Sequence, residues 1–304
     1  MYFGILSERV KAVDGNMPEI VRVYWDRGGV SVPRRRAETH KGDYGKLLIV
    51  GGSVGYTGAP NLCARAAVRS GAGLVYLGVP EAIWSVCAVK NDEAMPFPLP
   101  EAEGRLSLLA EETIRRRAAG CDAVLLGCGL GRGRQTDALV RRLMDLPQPL
   151  VLDADGINAL AGHMDEWERR RGRVTVLTPH EGEFLRVGGD LSQGRTAAAT
   201  EFAHQSGAVV VLKGPGTVVA GPDGRCRVNT TGNCGMAKGG SGDVLSGVVL
   251  ALLGLGMDAF DACCCAVWLH GRAGDLAAQE KGQWGMTPTD LLERLPQALR
   301  EVTE

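Results

Sequence analysis

Apolar residues in this chain come in short unbroken runs rather than in alternation. Residues 46–50 (Lys-Leu-Leu-Ile-Val), 73–79, 122–126, 149–153, 174–177 and 208–213 each read as a strand buried on both faces. Stretches with helical spacing lie between them. Over 59–70, Leu62, Ala66 and Ala67 share one side while Arg65 and Arg69 take the other. A further helix is expected over 81–90. Strand–helix alternation of this kind predicts an α/β fold, a mainly parallel sheet covered by helices on both faces. After Lys213 the pattern changes. Residues 217–220 and 225–228, separated by Pro222-Asp223-Gly224, predict a hairpin. The rest is helical, over 243–255, 258–280 and 288–301. Residues 1–29 have no clear period and are expected to be an N-terminal extension, either an element docked on the body or an arm to another subunit. Residues 30–304 are expected to form one domain, entered through a solvated basic segment over 30–36, Val-Ser-Val-Pro-Arg-Arg-Arg.

Composition narrows the class. The chain has 304 residues, 45% hydrophobic, with a formal net charge of −1, which leaves no electrostatic footprint for nucleic acid. The longest apolar run, 244–257, is short and interrupted by glycine, so no membrane span is expected. The first residues lack the pattern of a secretory signal. Nine cysteines occur without a Cys-x-x-Cys pair. Cys263, Cys264 and Cys265 fall in an apolar helical stretch, where the thiol acts as a small hydrophobe. Free thiols point to a reducing, cytoplasmic setting.

Chemistry concentrates where strands are expected to end. The stretch Asn233-Cys234-Gly235-Met236-Ala237-Lys238-Gly239-Gly240-Ser241-Gly242-Asp243 changes from glycine-rich to apolar at Asp243. It predicts a tight loop feeding a helix, with Ser241 or Gly242 as N-cap and Asp243 in the first turn. Unpaired backbone N–H groups there would hold an anion, and a carboxylate beside them can act as a general base. Gly51-Gly52-Ser53-Val54-Gly55-Tyr56-Thr57-Gly58 is a second glycine loop, but neither a Walker A nor a dinucleotide fingerprint. Asp153-Ala154-Asp155 offers two carboxylates for Mg²⁺ or for capping a helix. His180 and Glu183, in Thr178-Pro179-His180-Glu181-Gly182-Glu183, would face one site if a helix begins there. Lys213, in Lys213-Gly214-Pro215-Gly216-Thr217, is placed to meet a phosphate or to lie in solvent.

A glycine-glycine-Ser-glycine turn followed directly by an acid resembles the signature of ribokinase-like small-molecule kinases. The ordered set of motifs, including His40-Lys41-Gly42, Gly127-Cys128-Gly129-Leu130-Gly131 and Thr178 to Glu183, resembles the ADP/ATP-dependent NAD(P)H-hydrate dehydratase family over nearly the whole chain. That resemblance implies a ribokinase-like fold. It implies repair of the S epimer of hydrated NADH or NADPH by phosphorylation from ADP, loss of phosphate, and release of AMP. It implies Asp243 as base, with Gly240 and Gly242 as the catalytic anion hole. Ala59, Gly129, Gly131, His180 and Asp243 would line the hydrated-dinucleotide pocket. Lys213, Gly214, Pro215, Gly216, Thr217 and Gly242 would hold the adenine nucleotide, ADP or alternatively ATP. Glu183 would organise Mg²⁺ through water. The resemblance further implies a homotetramer. Cys128 departs from the proline common at that position. Many members carry an epimerase domain, which 29 residues cannot form, so a separate epimerase is expected as functional partner. A kinase for a vitamin precursor, a hydroxymethylpyrimidine or hydroxyethylthiazole, is the alternative with the same glycine loop.

Overall fold

The computed structural model describes residues 4–9, 21–27 and 30–303. In chain order its strands are β1 Gly4–Arg9, β2 Val21–Arg27, β3 Val30–Pro33, β4 Lys46–Val50, β5 Leu74–Pro80, β6 Met95–Leu99, β7 Glu101–Ala102, β8 Arg105–Leu106, β9 Ala123–Leu126, β10 Leu150–Leu152, β11 Thr175–Leu177, β12 Val209–Leu212, β13 Val218–Ala220 and β14 Cys226–Val228. The α-helices are α1 Gly58–Arg69, α2 Glu81–Val89, α3 Glu111–Ala118, α4 Arg134–Arg142, α5 Asp155–Asn158, α6 Glu181–Arg186, α7 Arg195–Ser206, α8 Ser241–Gly254, α9 Ala259–Gly285 and α10 Pro288–Thr303.

The apolar runs become the centre of a nine-stranded sheet in the order β14-β13-β12-β11-β10-β9-β4-β5-β6. From β12 to β6 every pairing is parallel, and the expected hairpin β13–β14 adds two antiparallel strands. Both faces are covered, which is why the strands are apolar throughout. Leu47 and Ile49 of β4 pack with α1, α8, α9 and α10, whereas Leu48 and Val50 pack with α3, α4 and α7. From β4 the chain winds outward through β5 to β6. It then restarts at β9 on the other side and proceeds to β12. The adjacent strands β4 and β9 therefore send their loops in opposite directions, and ligands bind at the carboxyl ends of strands at such a switch point.

One expectation is corrected, and two elements had not been expected. Residues 30–36 do not begin as a solvated linker, because Val30 and Val32 are buried in β3, which closes an antiparallel sheet β1-β2-β3 packed on α9 and α10. The remainder of 1–29 lies outside the described residues. Strand β6 had no counterpart in the sequence reading, since Pro96 and Pro98 argue against a ladder; it is tolerated because it is the sheet edge, paired with β5 alone. The small hairpin β7–β8 also escaped notice. It turns through Glu103 and Gly104, both at positive φ, as a two-residue turn of this hand requires.

Candidate active site

The loop at 237–240 delivers the chain into α8, whose N-cap is Gly240, not Ser241 or Gly242. Gly240 sits at φ 105, a left-handed conformation that a side chain would strain, and a Cβ there would lie 2.8 Å from Leu62. No side chain caps this helix end. The Ser241 N–H bonds the Lys238 carbonyl at 3.2 Å, which leaves the N–H groups of Gly242 and Asp243 as the first-turn donors for an anion. Asp243 stands in that first turn. His270 of α9 donates Nε2–H to the carbonyl of Ser241 at 2.9 Å. Burial outweighs that hydrogen bond and pushes the imidazole down to about 4, with the charge of Lys213 adding to the fall, so the ring is neutral at pH 7.

The ends of β10, β11 and β12 meet this helix terminus. Asp153, following β10, is 1% exposed. It accepts from Lys213 Nζ at 2.9 Å, Thr178 Oγ1 at 2.8 Å and Ser246 Oγ at 2.8 Å, with the Cys128 thiol at 3.6 Å. Burial opposes its charge, but Lys213 and these donors prevail and hold the carboxyl below its ordinary range. The same partnership raises the Lys213 ammonium against the opposing effect of burial, with Glu183 Oε2 assisting at 3.8 Å. Both groups are charged at neutral pH. Next to Asp153, Ala154 is held at φ 49, ψ −116, a conformation that costs a non-glycine residue about 1–3 kcal/mol. Asp155 turns away and accepts from the Gly131 N–H at 2.9 Å.

Asp243 is the contrasting acid. Burial and the neighbouring charge of Asp153 push it up to about 7, against smaller opposing effects from the Cys128 thiol and Lys213. Donor atoms of Cys128, Asp153 and Asp243 all lie within 4.8 Å of one another. They make a poor cage for a hard cation. Asp153 is already engaged by three donors, and the Cys128 thiol is raised well above its usual value by its hydrogen bond with Cys63 and by burial. Glu183, the acid expected to organise Mg²⁺, is buried, with its Oε2 accepting from the His180 N–H and facing Lys213.

The remaining expected residues fall around this centre. His180 caps α6 in a reciprocal box: its Nδ1 accepts from Glu183 N–H at 3.2 Å, while Glu183 Oε2 accepts from His180 N–H at 2.9 Å. The imidazole is otherwise exposed, and Glu183 is buried between it and Lys213. A Cβ at Gly242 would lie 3.3 Å from Lys213 Nζ, so the ammonium faces the α8 loop. Gly214, Pro215 and Gly216 are exposed beyond it, and Thr217 Oγ1 closes the loop on Gly214 O at 3.0 Å. Ala59, near the start of α1, touches Gly129, where a Cβ would lie 3.1 Å from its methyl. Gly131 sits two residues further on, beside Ser53 Oγ. Cys128, directly before Gly129, links this group to Asp243 through its thiol.

Sequence reasoning missed Ser246, His270 and Arg195. Arg195 of α7 holds the Lys213 loop through the carbonyls of Leu212, Lys213 and Pro215. The available signal for Ser246 and His270 was a lone polar group inside an apolar helix. Arg195 gave none.

The sequence matches the family model described as NAD(P)H-hydrate dehydratase over residues 47–297. It is 44% identical to the bifunctional NAD(P)H-hydrate repair enzyme Nnr of Moorella thermoacetica, over 98% of this chain and 59% of that protein. The ADP-dependent (S)-NAD(P)H-hydrate dehydratase of Neisseria meningitidis is 37% identical, with 82% of each chain covered. The chain thus spans only about three-fifths of its longer, bifunctional relative. Among solved structures, the ADP/ATP-dependent NAD(P)H-hydrate dehydratase of Bacillus subtilis, co-crystallised with ATP and Mg²⁺, superposes with a TM-score of 0.76 at 33% identity, covering 89% of this chain and 94% of that one. A ribokinase-like protein of Enterococcus faecalis, 24% identical with a TM-score of 0.77, covering 89% and 92%, shares the fold. Matched over most of its length by the family model and by these relatives, the chain belongs to the NAD(P)H-hydrate dehydratase family, on a ribokinase-like fold.

Proposed function

We propose that this chain dehydrates the S epimer of hydrated NADH or NADPH, using ADP as phosphoryl donor and releasing AMP, phosphate and the intact dinucleotide. The observation that carries this reading is Asp243: a carboxyl pushed up to about 7, in the first turn of a helix that opens from a glycine loop, beside a charged Lys213. Hydroxide is a poor leaving group from the hydrated ring, and phosphate is a good one. Asp243 takes the proton from the ring hydroxyl as its oxygen attacks the phosphorus, and the bond from phosphorus to AMP breaks. Phosphate then departs with its bonding electrons, the neighbouring ring carbon gives up a proton to solvent, and the ring double bond is restored. The loop N–H groups around Gly240 and Gly242 hold the transferring phosphoryl, and phosphoryl transfer needs little more than positioning, charge neutralisation and a base. Lys213 to Thr217 hold the adenine nucleotide, while Ala59, Gly129, Gly131 and His180 orient the dinucleotide. Glu183 would organise Mg²⁺ through water, and the ion would supply charge neutralisation on the phosphates. We also assign the activity to a domain over 30–304, a cytoplasmic setting and a homotetramer. ATP is the alternative donor.

Incubation of the chain with hydrated NADH, ADP and Mg²⁺, followed by the absorbance of reduced nicotinamide, tests the reading. Recovery of NADH with stoichiometric AMP is expected. The vitamin-precursor kinase alternative takes its place if only a hydroxymethylpyrimidine or thiazole alcohol consumes nucleotide.

A further inference from the structure

Arg105 is half-buried on β8, yet among the described residues it makes no hydrogen bond or ion pair. Its position is nonetheless fixed. Val54 of the first glycine loop donates its N–H to Gly104 O at 2.9 Å, and Thr136 Oγ1 of α4 donates to Leu106 O at 3.0 Å. Leu106 points into the core at 1% exposure, so alternation along the strand sends Arg105 the other way. There its side chain lies along the loop after β9. A Cβ at Gly131 would meet Arg105 Nε at 3.0 Å, and one at Gly133 would meet Arg105 Cδ at 3.5 Å. Gly131, at φ 73, is free of a side chain where the guanidinium passes. The acids on the same hairpin, Glu101 and Glu103, are exposed and leave the arginine unpaired.

A positioned guanidinium held without a carboxylate presents a planar fork of donors suited to a bidentate anion such as a phosphate. Tyr56, 61% exposed, stands close by with its carbonyl 3.0 Å from the Cβ position of Gly129, and offers an aromatic face for a base. On the proposed function, the donor's phosphates take Lys213 and the α8 loop as their partners. Resting on the proposed function, we infer that Arg105 sets affinity for the hydrated dinucleotide by pairing with one of its phosphates. The target is either the bridging pyrophosphate or the 2′-phosphate that hydrated NADPH alone carries.

Steady-state kinetics of the parent, Arg105→Gln and Arg105→Lys, with hydrated NADH and hydrated NADPH at saturating ADP and Mg²⁺, test this. Calorimetric titration of each hydrate into each protein runs alongside. In Arg105→Gln the hydrate KM and dissociation constant are expected to rise about tenfold or more, as for loss of a charged hydrogen bond, with Lys intermediate and the KM for ADP unmoved. A rise with both hydrates identifies the pyrophosphate, and a rise with hydrated NADPH alone the 2′-phosphate. Values within about twofold of the parent for both hydrates, or an effect confined to ADP, overturn the assignment. A parent that binds hydrate but regenerates no NADH removes the proposed reaction and leaves the Arg105 titrations to decide its own role.

Discussion

Asp153 and Asp243 are the same residue type, with oxygens within 4.8 Å of each other, and their surroundings drive them apart. Asp153 is ringed by Lys213, Thr178 and Ser246 and sits below the ordinary carboxylate range. Asp243 has lost water, faces the charge of Asp153, and is pushed up to about 7. Two neighbouring acids whose environments separate their titration divide the work: one holds the framework and the other can exchange a proton near neutral pH. Their closeness is itself a cause, because the permanent charge on Asp153 raises its neighbour.

The largest test of this division is Asp243→Asn. The amide keeps the shape but cannot accept a proton, so kcat is expected to fall by about a hundredfold or more, with ADP binding little changed in calorimetry. Near-parental turnover in the folded variant would reduce Asp243 to a helix-terminus acid. Asp153→Ala attacks the other side. It removes the closer of two carboxylates beside the largely buried Lys213 ammonium, leaving Glu183 at 3.8 Å, and denaturant unfolding should show a loss of about 3 kcal/mol. An unchanged midpoint would mean that the Asp153 cluster carries no structural weight.

The pH dependence sharpens the same contrast. If Asp243 is the base, activity should fall about tenfold for each pH unit below roughly 7 and level off above it, and this limb should vanish in Asp243→Asn. A limb near the pKa of an ordinary carboxylate would contradict the environment described here. Stability follows with the opposite consequence. Between the unfolded carboxyl value of 3.8 and about 7 the folded chain retains a proton on Asp243 that the unfolded chain has lost, so this group's contribution to stability declines as pH rises through that window. Asp243→Asn should therefore melt higher than the parent at about pH 8, by roughly 2–4 °C for each kcal/mol relieved, and near the parent at about pH 4. The smallest effect is Ser246→Ala, which removes one of three close donors to Asp153 and should cost about 1 kcal/mol in denaturant unfolding.

The sequence by itself determined the parallel sheet and its helical cover, because strands buried on both faces must be unbroken apolar runs and helices must show their own period. It also determined the glycine loop feeding α8, since the change from glycine to apolar at Asp243 is local. Strand β6 was hidden because its two prolines are acceptable only at an edge, and being an edge is a property of the sheet. The N-cap at Gly240 depended on a left-handed backbone angle that several glycines in the loop could equally supply. The pairing of Asp153 with Lys213, Thr178 and Ser246 joins residues up to 93 positions apart, and no spacing rule reaches that far. Only the tertiary structure could therefore decide which acid is neutralised by a lysine and which is left beside a buried negative charge. The pKa difference between Asp153 and Asp243 follows from that arrangement.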